Sequence, residues 1–330
     1  MATETLLGQA GIAGRQRTLA LSIAHRMRVR TRHISRTWTA RIDTQAERAG
    51  NPALAARAVD VALRDAGLGV ADLGYLIAHT ATPAQPLPSN ISFAADILGY
   101  AGPHIELRQA CTGFANALMI AFGLLAQPGA RPVAIVGSET GSVFFDLEGF
   151  EGQSGQIVNL VQMGDGAGAV ILGPAGTGTD KLHAAWYGAL GLHRRPGLQM
   201  REGGSDRSGT GNAGPLIFEH DFASVLRDGV ELFDAGVQAA LGRGFEIGRA
   251  DWIIPHQASG RIGSQLAGYL GLPEDRFFVN ADRIGNTGSA AIWIALAELR
   301  ARRLAAGTLT LALGAEATKY MFGGFVHETG

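Results

Sequence analysis

The chain has 330 residues, with 28 Lys plus Arg against 29 Asp plus Glu, a formal net charge of −1. With 46% hydrophobic and 17% charged residues, it is not a disordered chain, and its charge balance gives no general pull toward nucleic acid or an acidic membrane. A single cysteine, Cys111, excludes an internal disulfide and a cysteine-clustered metal site, which leaves that thiol as a buried core group or a nucleophile.

The length suits two domains of about 150 residues each. The 47 glycines, without a collagen period, suit many tight strand-to-helix turns. The N-terminus lacks a charged-then-apolar leader pattern. No uninterrupted apolar run approaches the ~18 residues of a membrane span, so no membrane span is expected and the expected compartment is the cytoplasm.

Residues 1–24 read as loop and helix. Residues 52–66 place Leu54, Ala58, Val61 and Ala62 on one helical face, with Gly67 as a stop. A short apolar run at 75–78 is a buried strand. Residues 89–98 form a helix between Pro88 and Gly99. Residues 105–110 are a strand leading into Cys111. Residues 112–125 form a helix with Ala115, Leu118, Met119, Phe122 and Leu125 on one face. Strands follow at 132–136 and 167–172, the second entered through Gly164-Asp165-Gly166-Ala167-Gly168. This alternation predicts an α/β fold with crossover connections and largely parallel sheets.

The second half repeats the first. The strand ending in His79 is matched by the one ending in His256, and Gly137-Ser138-Glu139 by Gly314-Ala315-Glu316, each pair 177 positions apart. Cys111-Thr112-Gly113 and Asn286-Thr287-Gly288 both open apolar helices, 175 positions apart. The chain therefore reads as a fused duplication. Its halves are 1–175, carrying the cysteine, and 176–330, carrying His256 and Asn286, joined near the Gly/Pro/Thr-rich residues 174–180.

Cys111, His256 and Asn286 all fall at strand-to-helix junctions, where α/β sheets bind ligands. A helix N-terminus favours a thiolate. Taken singly, His256 reads as a core histidine and Asn286 as a turn or cap residue. Taken together, they are a nucleophile with a polar neighbour and two hydrogen-bond donors for a thioester oxygen.

At these residues the chain resembles the β-ketoacyl-ACP synthase III family of thiolase-fold condensing enzymes. The matching motifs are Ala110-Cys111-Thr112-Gly113-Phe114-Ala115, Gly164-Asp165-Gly166-Ala167-Gly168-Ala169, Pro255-His256-Gln257-Ala258 and Gly285-Asn286-Thr287, with Arg30-Thr31-Arg32-His33-Ile34 similar to the arginine-rich segment near the family's start. The likeness runs over about residues 26–330. It implies a thiolase-like fold, with duplicated α/β halves stacked as five αβαβα layers. It also implies acylation of Cys111 followed by decarboxylative Claisen condensation, with His256 and Asn286 holding the enolate. The backbone N–H groups of Cys111 and Ala315 would form the oxyanion hole. Coenzyme A or phosphopantetheine thioesters are the implied substrates, from acyl-CoA or an acyl carrier protein, with no metal or redox cofactor. The implied assembly is a homodimer formed through the strand near 132–136 or its neighbour, with Leu87 reaching the partner's pocket.

Several departures from the family stand out. Its Gly-Gly-Gly turn reads Gly314-Ala315-Glu316 here, so Glu316 is either an auxiliary acid/base or a residue bonded to backbone like its repeat mate Glu139. The aromatic residue that often stacks on adenine falls near Ser22. Arg26, Arg28, Arg30 and Arg32 alternate as on one strand face, either a solvated edge or a phosphate clamp. Arg261 is the basic residue kept in the carrier-docking helix, where Gly268 and Tyr269 are not basic. The usual first strand is missing: either this chain begins late or the first half lacks one strand, and its loss would leave a neighbour under-paired. Residues 144–163 are expected to shape the acyl pocket or the dimer contact. These departures suggest a specialised synthase of polyketide, aryl-polyene or dialkylresorcinol type. The alternatives are an acyltransferase to an alcohol or amine, and a non-catalytic subunit of a heterodimer.

Overall fold

The computed structural model describes residues 1–35, 50–145, 154–201 and 217–330. The chain opens with helices α1 (Thr3–Gln9), α2 (Gly14–Met27) and α3 (Asn51–Asp65), followed by β1 (Tyr75–His79), α4 (Asn90–Leu98), β2 (His104–Leu107), α5 (Gly113–Leu125) and β3 (Val133–Glu139). Next come α6 (Ser154–Gln162), β4 (Gly166–Leu172), β5 (Lys181–Ala189), the short pair β6 (Leu198–Arg201) and β7 (Ile217–His220), and α7 (Phe222–Leu241). The last elements are β8 (Trp252–Pro255), α8 (Ile262–Leu270), α9 (Ala281–Ile284), α10 (Ala291–Arg300), β9 (Leu309–Glu316) and β10 (Met321–Glu328).

Two four-stranded sheets carry the fold, ordered β2-β1-β3-β4 and β5-β10-β9-β8. β1 and β3 are parallel and apolar because helices cover both faces of the sheet, so alternation disappears and every residue of β3 is buried. One outer layer packs Ala55, Val59 and Leu63 of α3 and Ile91 and Ala94 of α4 on the first sheet. The middle layer is α5 and α10, which meet both sheets through Phe114, Leu118, Trp293 and Leu296. Phe114 packs edge-on to Trp293 at 5.9 Å and to Phe325 of the second sheet at 5.7 Å. The other outer layer sets Phe233 and Ala240 of α7 and Ala267 of α8 against Ile253, Leu311 and Val326. These are the five layers of the thiolase-like fold.

The duplication holds at the level of strand register. β1 pairs with β3 as Tyr75 to Val133, and β8 pairs with β9 as Trp252 to Thr310, both partners displaced by the same 177 positions. Helices α4 and α8 end alike on left-handed glycines, Gly99 at φ 68° and Gly271 at φ 66°. At that displacement the mate of Cys111 is Gly288, two residues beyond Asn286, so the sequence alignment of Cys111 with Asn286 is corrected.

Three further expectations change and one holds. β2 stops at Leu107, because residues 108–110 leave the ladder and are held by side chains: Asn116 Nδ2 donates to Gln109 Oε1 at 2.8 Å, and Gln109 Nε2 to Tyr187 Oη at 2.7 Å. The arginines do not share a strand face. Arg26 belongs to α2, Arg28 turns left-handed at φ 53°, and Arg32 is fully buried, donating to the Leu160 carbonyl at 3.1 Å and to Thr3 Oγ1 at 2.6 Å. The strand over 132–136 is interior to its sheet, between β1 and β4, so a sheet-edge contact has only β2 and β4 to use. The first half does lack a strand: among the described residues β4 ends its sheet, whereas β5 flanks its counterpart β10.

Candidate active site

Cys111 stands in the turn entering α5, partly exposed. Its surroundings require glycine. A Cβ on Gly314 would lie 2.6 Å from the Phe114 ring and 3.2 Å from the Cys111 carbonyl, so β9 passes Cys111 at backbone distance. A Cβ on Gly113 would lie 2.7 Å from the His79 side chain beneath it. Desolvation pushes the thiol well above its ordinary value, and the carboxylates of Glu316 and Glu139 push it the same way, against the N–H of Cys111 itself. The thiolate expected at a helix N-terminus is therefore opposed by burial and by two acidic neighbours.

His256 follows the end of β8, where Pro255 lies opposite Leu313, one position before Gly314. Burial lowers its imidazole to about 4, so the ring is neutral at physiological pH, and its Nδ1 is buried without a hydrogen-bond partner among the described residues. The next residue fixes its place. Gln257 is fully buried, donates to the carbonyls of Pro255 at 2.8 Å and Phe278 at 3.1 Å, and accepts from Asn280 N at 2.9 Å.

Asn286 lies beside Met163 in a one-residue parallel bridge. Its N–H donates to the Gln162 carbonyl at 2.8 Å, and its carbonyl accepts from Gly164 N at 3.0 Å. Gly285 has φ 74°, and a Cβ there would meet the Gln162 carbonyl at 2.8 Å. The Asn286 side-chain Oδ1 accepts from Gly288 N at 3.0 Å, which commits that end of the amide and leaves Nδ2 as the donor end. Ser289 hydrogen-bonds the Ala110 carbonyl at 3.2 Å, setting the Asn286 turn beside the segment that carries Cys111. Gln162 also joins the two donors: its backbone holds Asn286, and its Nε2 donates to the carbonyl of Ala258 at 2.7 Å, two residues after His256.

The remaining expected residues fall as follows. Glu316 is 2% exposed. Its carboxylate accepts from Thr112 N at 2.9 Å and Thr112 Oγ1 at 2.7 Å, and from Thr318 Oγ1, so it bonds backbone as Glu139 does. Ala315 pairs with Phe322 of β10 and is partly exposed. Arg26, Arg30 and Arg261 are exposed; Arg261 Nη1 donates to the Arg26 carbonyl at 3.5 Å, and Arg30 pairs with Asp282. Leu87 is 84% exposed. A cavity of about 530 Å³ opens beside Ala110 and Glu316, walled by Pro83, Pro86, Phe144 and Met200. Phe144 thus shapes a pocket as expected of its segment, while 146–153 lie outside the described residues. Motif reading missed Gln162, Gln257 and Ser289. The 177-residue displacement, applied to Thr112, leads directly to Ser289.

Among the described residues no group of three or more His, Cys, Asp or Glu is placed to hold a metal ion, and no helix is long and apolar enough to cross a membrane.

The profile for 3-oxoacyl-[acyl-carrier-protein (ACP)] synthase III matches residues 105–190, and the one for its C-terminal part matches 242–325. A β-ketoacyl-[acyl-carrier-protein] synthase III of Cereibacter sphaeroides is 35% identical over 257 residues, 76% of this chain and 75% of that protein. The solved 3-oxoacyl-(acyl carrier protein) synthase III of Pseudomonas aeruginosa PAO1 superposes with a TM-score of 0.80 at 26% identity, covering 100% of this chain and 93% of that one. The tetronic acid condensing enzyme AbyA1 superposes with a TM-score of 0.83 at 27% identity, covering 99% and 95%. With both halves matched, the chain belongs to the 3-oxoacyl-[acyl-carrier-protein] synthase III family and is a condensing enzyme of the thiolase-fold class.

Proposed function

We propose that the protein makes a carbon–carbon bond between two thioesters by decarboxylative Claisen condensation, with Cys111, His256 and Asn286 as its catalytic residues. The observation that carries this reading is the fixed amide of Asn286: Gly288 N occupies Oδ1, which leaves Nδ2 as the donor end, and burial keeps the His256 imidazole neutral. Two neutral donors suit an enolate oxygen, which gains charge only as carbon dioxide leaves.

In the first half-reaction the Cys111 sulfur attacks the acyl carbonyl. The bond from that carbonyl to the coenzyme A or phosphopantetheine sulfur breaks, and the Cys111 proton leaves with the departing thiol. In the second, a malonyl-type thioester loses carbon dioxide while His256 and Asn286 donate to its carbonyl oxygen. The enolate carbon attacks the acyl-Cys111 carbonyl, the N–H groups of Cys111 and Ala315 stabilise the tetrahedral oxyanion, and collapse returns the Cys111 sulfur. No step of this scheme calls for a metal or redox cofactor, and none routes a proton through Glu316.

Arg26, Arg30 and Arg261, exposed and with Arg261 bonded to the Arg26 carbonyl, take the phosphates of coenzyme A or an acyl carrier protein. The assembly is a homodimer paired through the exposed edge strand β2, with the solvent-facing Leu87 entering the partner's pocket. The two domains are residues 1–175 and 176–330, and the enzyme works in the cytoplasm. The likeness to a tetronic acid condensing enzyme over nearly the whole chain supports a specialised, polyketide-type pathway.

Intact-protein mass spectrometry after incubation with a panel of acyl-CoA and acyl-carrier thioesters tests this reading. One acyl adduct is expected, and malonyl-CoA should then release carbon dioxide and a 3-oxoacyl product. Transfer of the acyl group to an alcohol or amine without carbon dioxide release would instead make the protein an acyltransferase. No adduct with any donor would leave it a non-catalytic subunit.

A further inference from the structure

Two carboxylates outside the catalytic trio make matching contacts in opposite directions across the duplication. Glu316, at the end of β9 in the second half, holds Thr112 of the first half through the N–H at 2.9 Å and Oγ1 at 2.7 Å. Glu139, at the end of β3 in the first half, holds Ser289 of the second half through the N–H at 3.3 Å and Oγ. Glu139 and Glu316 are repeat mates, and so are Thr112 and Ser289 at the same displacement. Both carboxylates are buried, and each takes a further hydroxyl, Thr318 on Glu316 and Thr82 on Glu139. Glu139 also accepts from Ala81 N at 3.0 Å.

The held segments differ in what they carry. Thr112 is the residue after Cys111. Ser289 closes the turn that presents Asn286, and Glu139 packs so closely on that turn that a Cβ on Gly288 would lie 2.9 Å from its Cγ. Gly288 is in turn the residue whose N–H fixes the Asn286 amide.

We propose that Glu316 and Glu139 are reciprocal positioning residues, Glu316 setting the nucleophile turn from the second half and Glu139 setting the Asn286 turn from the first. This rests on the reading of Cys111 as the acylated nucleophile and Asn286 as the enolate donor. Each half of the duplication then governs the half-reaction whose key residue the other half carries. Glu316 acts on acylation and Glu139 on decarboxylation. Glu316 has a second effect, because its charge raises the Cys111 thiol more than that of Glu139 does. The imidazoles near the thiol, His79 beneath Gly113 and His256 beyond Gly314, are both held neutral by burial and add no charge there.

The test compares the wild type with Glu316→Gln and Glu139→Gln. Iodoacetamide alkylation of Cys111 is followed from pH 6 to 10, and acyl-CoA acylation and malonyl-CoA decarboxylation are measured separately. Alkylation by wild type should still be rising at pH 9. Glu316→Gln should move that profile to lower pH, about tenfold faster at pH 7.5 for each unit the thiol falls, and further than Glu139→Gln does. Glu316→Gln should change acylation more than decarboxylation, whereas Glu139→Gln should lower decarboxylation by about tenfold and leave acylation within about twofold. Equal effects of both variants on both steps, or no effect in folded variants, would overturn the assignment. If either variant does not fold, Thr112→Val and Ser289→Ala remove one donor from each pairing and should show the same selectivity; its absence also overturns the proposal. The alkylation arm needs no substrate. A wild type that alkylates as expected but takes no acyl group therefore sinks the condensation reading and leaves the effect of Glu316 on the thiol decided.

Discussion

The two halves keep one strand register and differ in what they do with it. In the first, His79 ends β1 fully buried under the nucleophile turn, its Nε2 accepting from Trp293 Nε1 at 3.0 Å. In the second, its repeat mate His256 follows the end of β8, and its Nδ1, like that of His79, is buried with no hydrogen-bond partner among the described residues. The His79 ring is tied through Nε2 into the packing between the sheets, whereas the proposed scheme gives His256 a donor role. The outer edges differ too: β10 is flanked by β5, while β4 closes its sheet with no strand beyond it among the described residues. A duplicated α/β unit thus conserves hydrogen-bond register, which every strand depends on, and diverges at strand ends and edges, where a substitution disturbs few neighbours.

The largest expected contrast is between Cys111 and its repeat mate Gly288. Cys111→Ala should abolish the acyl adduct completely in intact-protein mass spectrometry. An unchanged adduct would place the nucleophile elsewhere and break the assignment of the first half. Next come the two histidines and the asparagine. His256→Ala and Asn286→Ala should each lower decarboxylation of the extender by on the order of 10²–10³ while still acylating at least partly. His79→Gln should lower it by no more than about tenfold, since His79 touches no substrate in the proposed scheme. Equal losses at 79 and 256 would erase the division of roles.

The comparison also has a pH signature. Burial lowers His79 to about 3 and His256 to about 4 from an ordinary 6.5. Below pH 6.5 the unfolded chain takes up these protons and the fold resists them. Stability is therefore full above pH 6.5 and is lost as pH falls through 6.5 toward 4. Denaturant melts at pH 7.5 and 4.5 should differ by on the order of a few kcal/mol, and His79→Gln should shrink that difference. A pH-independent melt would mean that the histidines are not held neutral. The smallest effect belongs to Trp293→Phe, which removes the donor on His79 Nε2 inside the core. It should cost about 1–3 kcal/mol of unfolding free energy at pH 7.5. A melt matching the wild type would show that the indole contributes packing alone.

Much of the architecture could be read in the residues because it depends on local pattern. The helices at 51–65, 90–98 and 113–125 follow from apolar spacing and glycine stops, and the buried strands from short apolar runs. The duplication could be read too, since landmarks such as His79 and His256 repeat at a fixed distance. The motifs of Cys111, His256 and Asn286 stand in the sequence because the roles proposed for them each need a particular residue type at a strand-to-helix junction.

What the sequence left open are the properties that depend on neighbours distant in the chain. Arg32 alternates with exposed arginines, yet α2 and the left-handed Arg28 rotate it into the interior against Leu160 and Thr3. Whether Glu316 points at substrate or at backbone is decided by a contact 204 residues away at Thr112, and the matching contact of Glu139 spans 150 residues to Ser289. The thiol's place at a helix N-terminus is local and argues for a thiolate. Burial and two carboxylates, one of them from the other half of the chain, argue against it and prevail. Composition and spacing determined the elements, the duplication and the catalytic residue types. Only packing of the two halves decided which charges face each other, because burial and Coulomb energy depend on separation in space and not on separation along the chain.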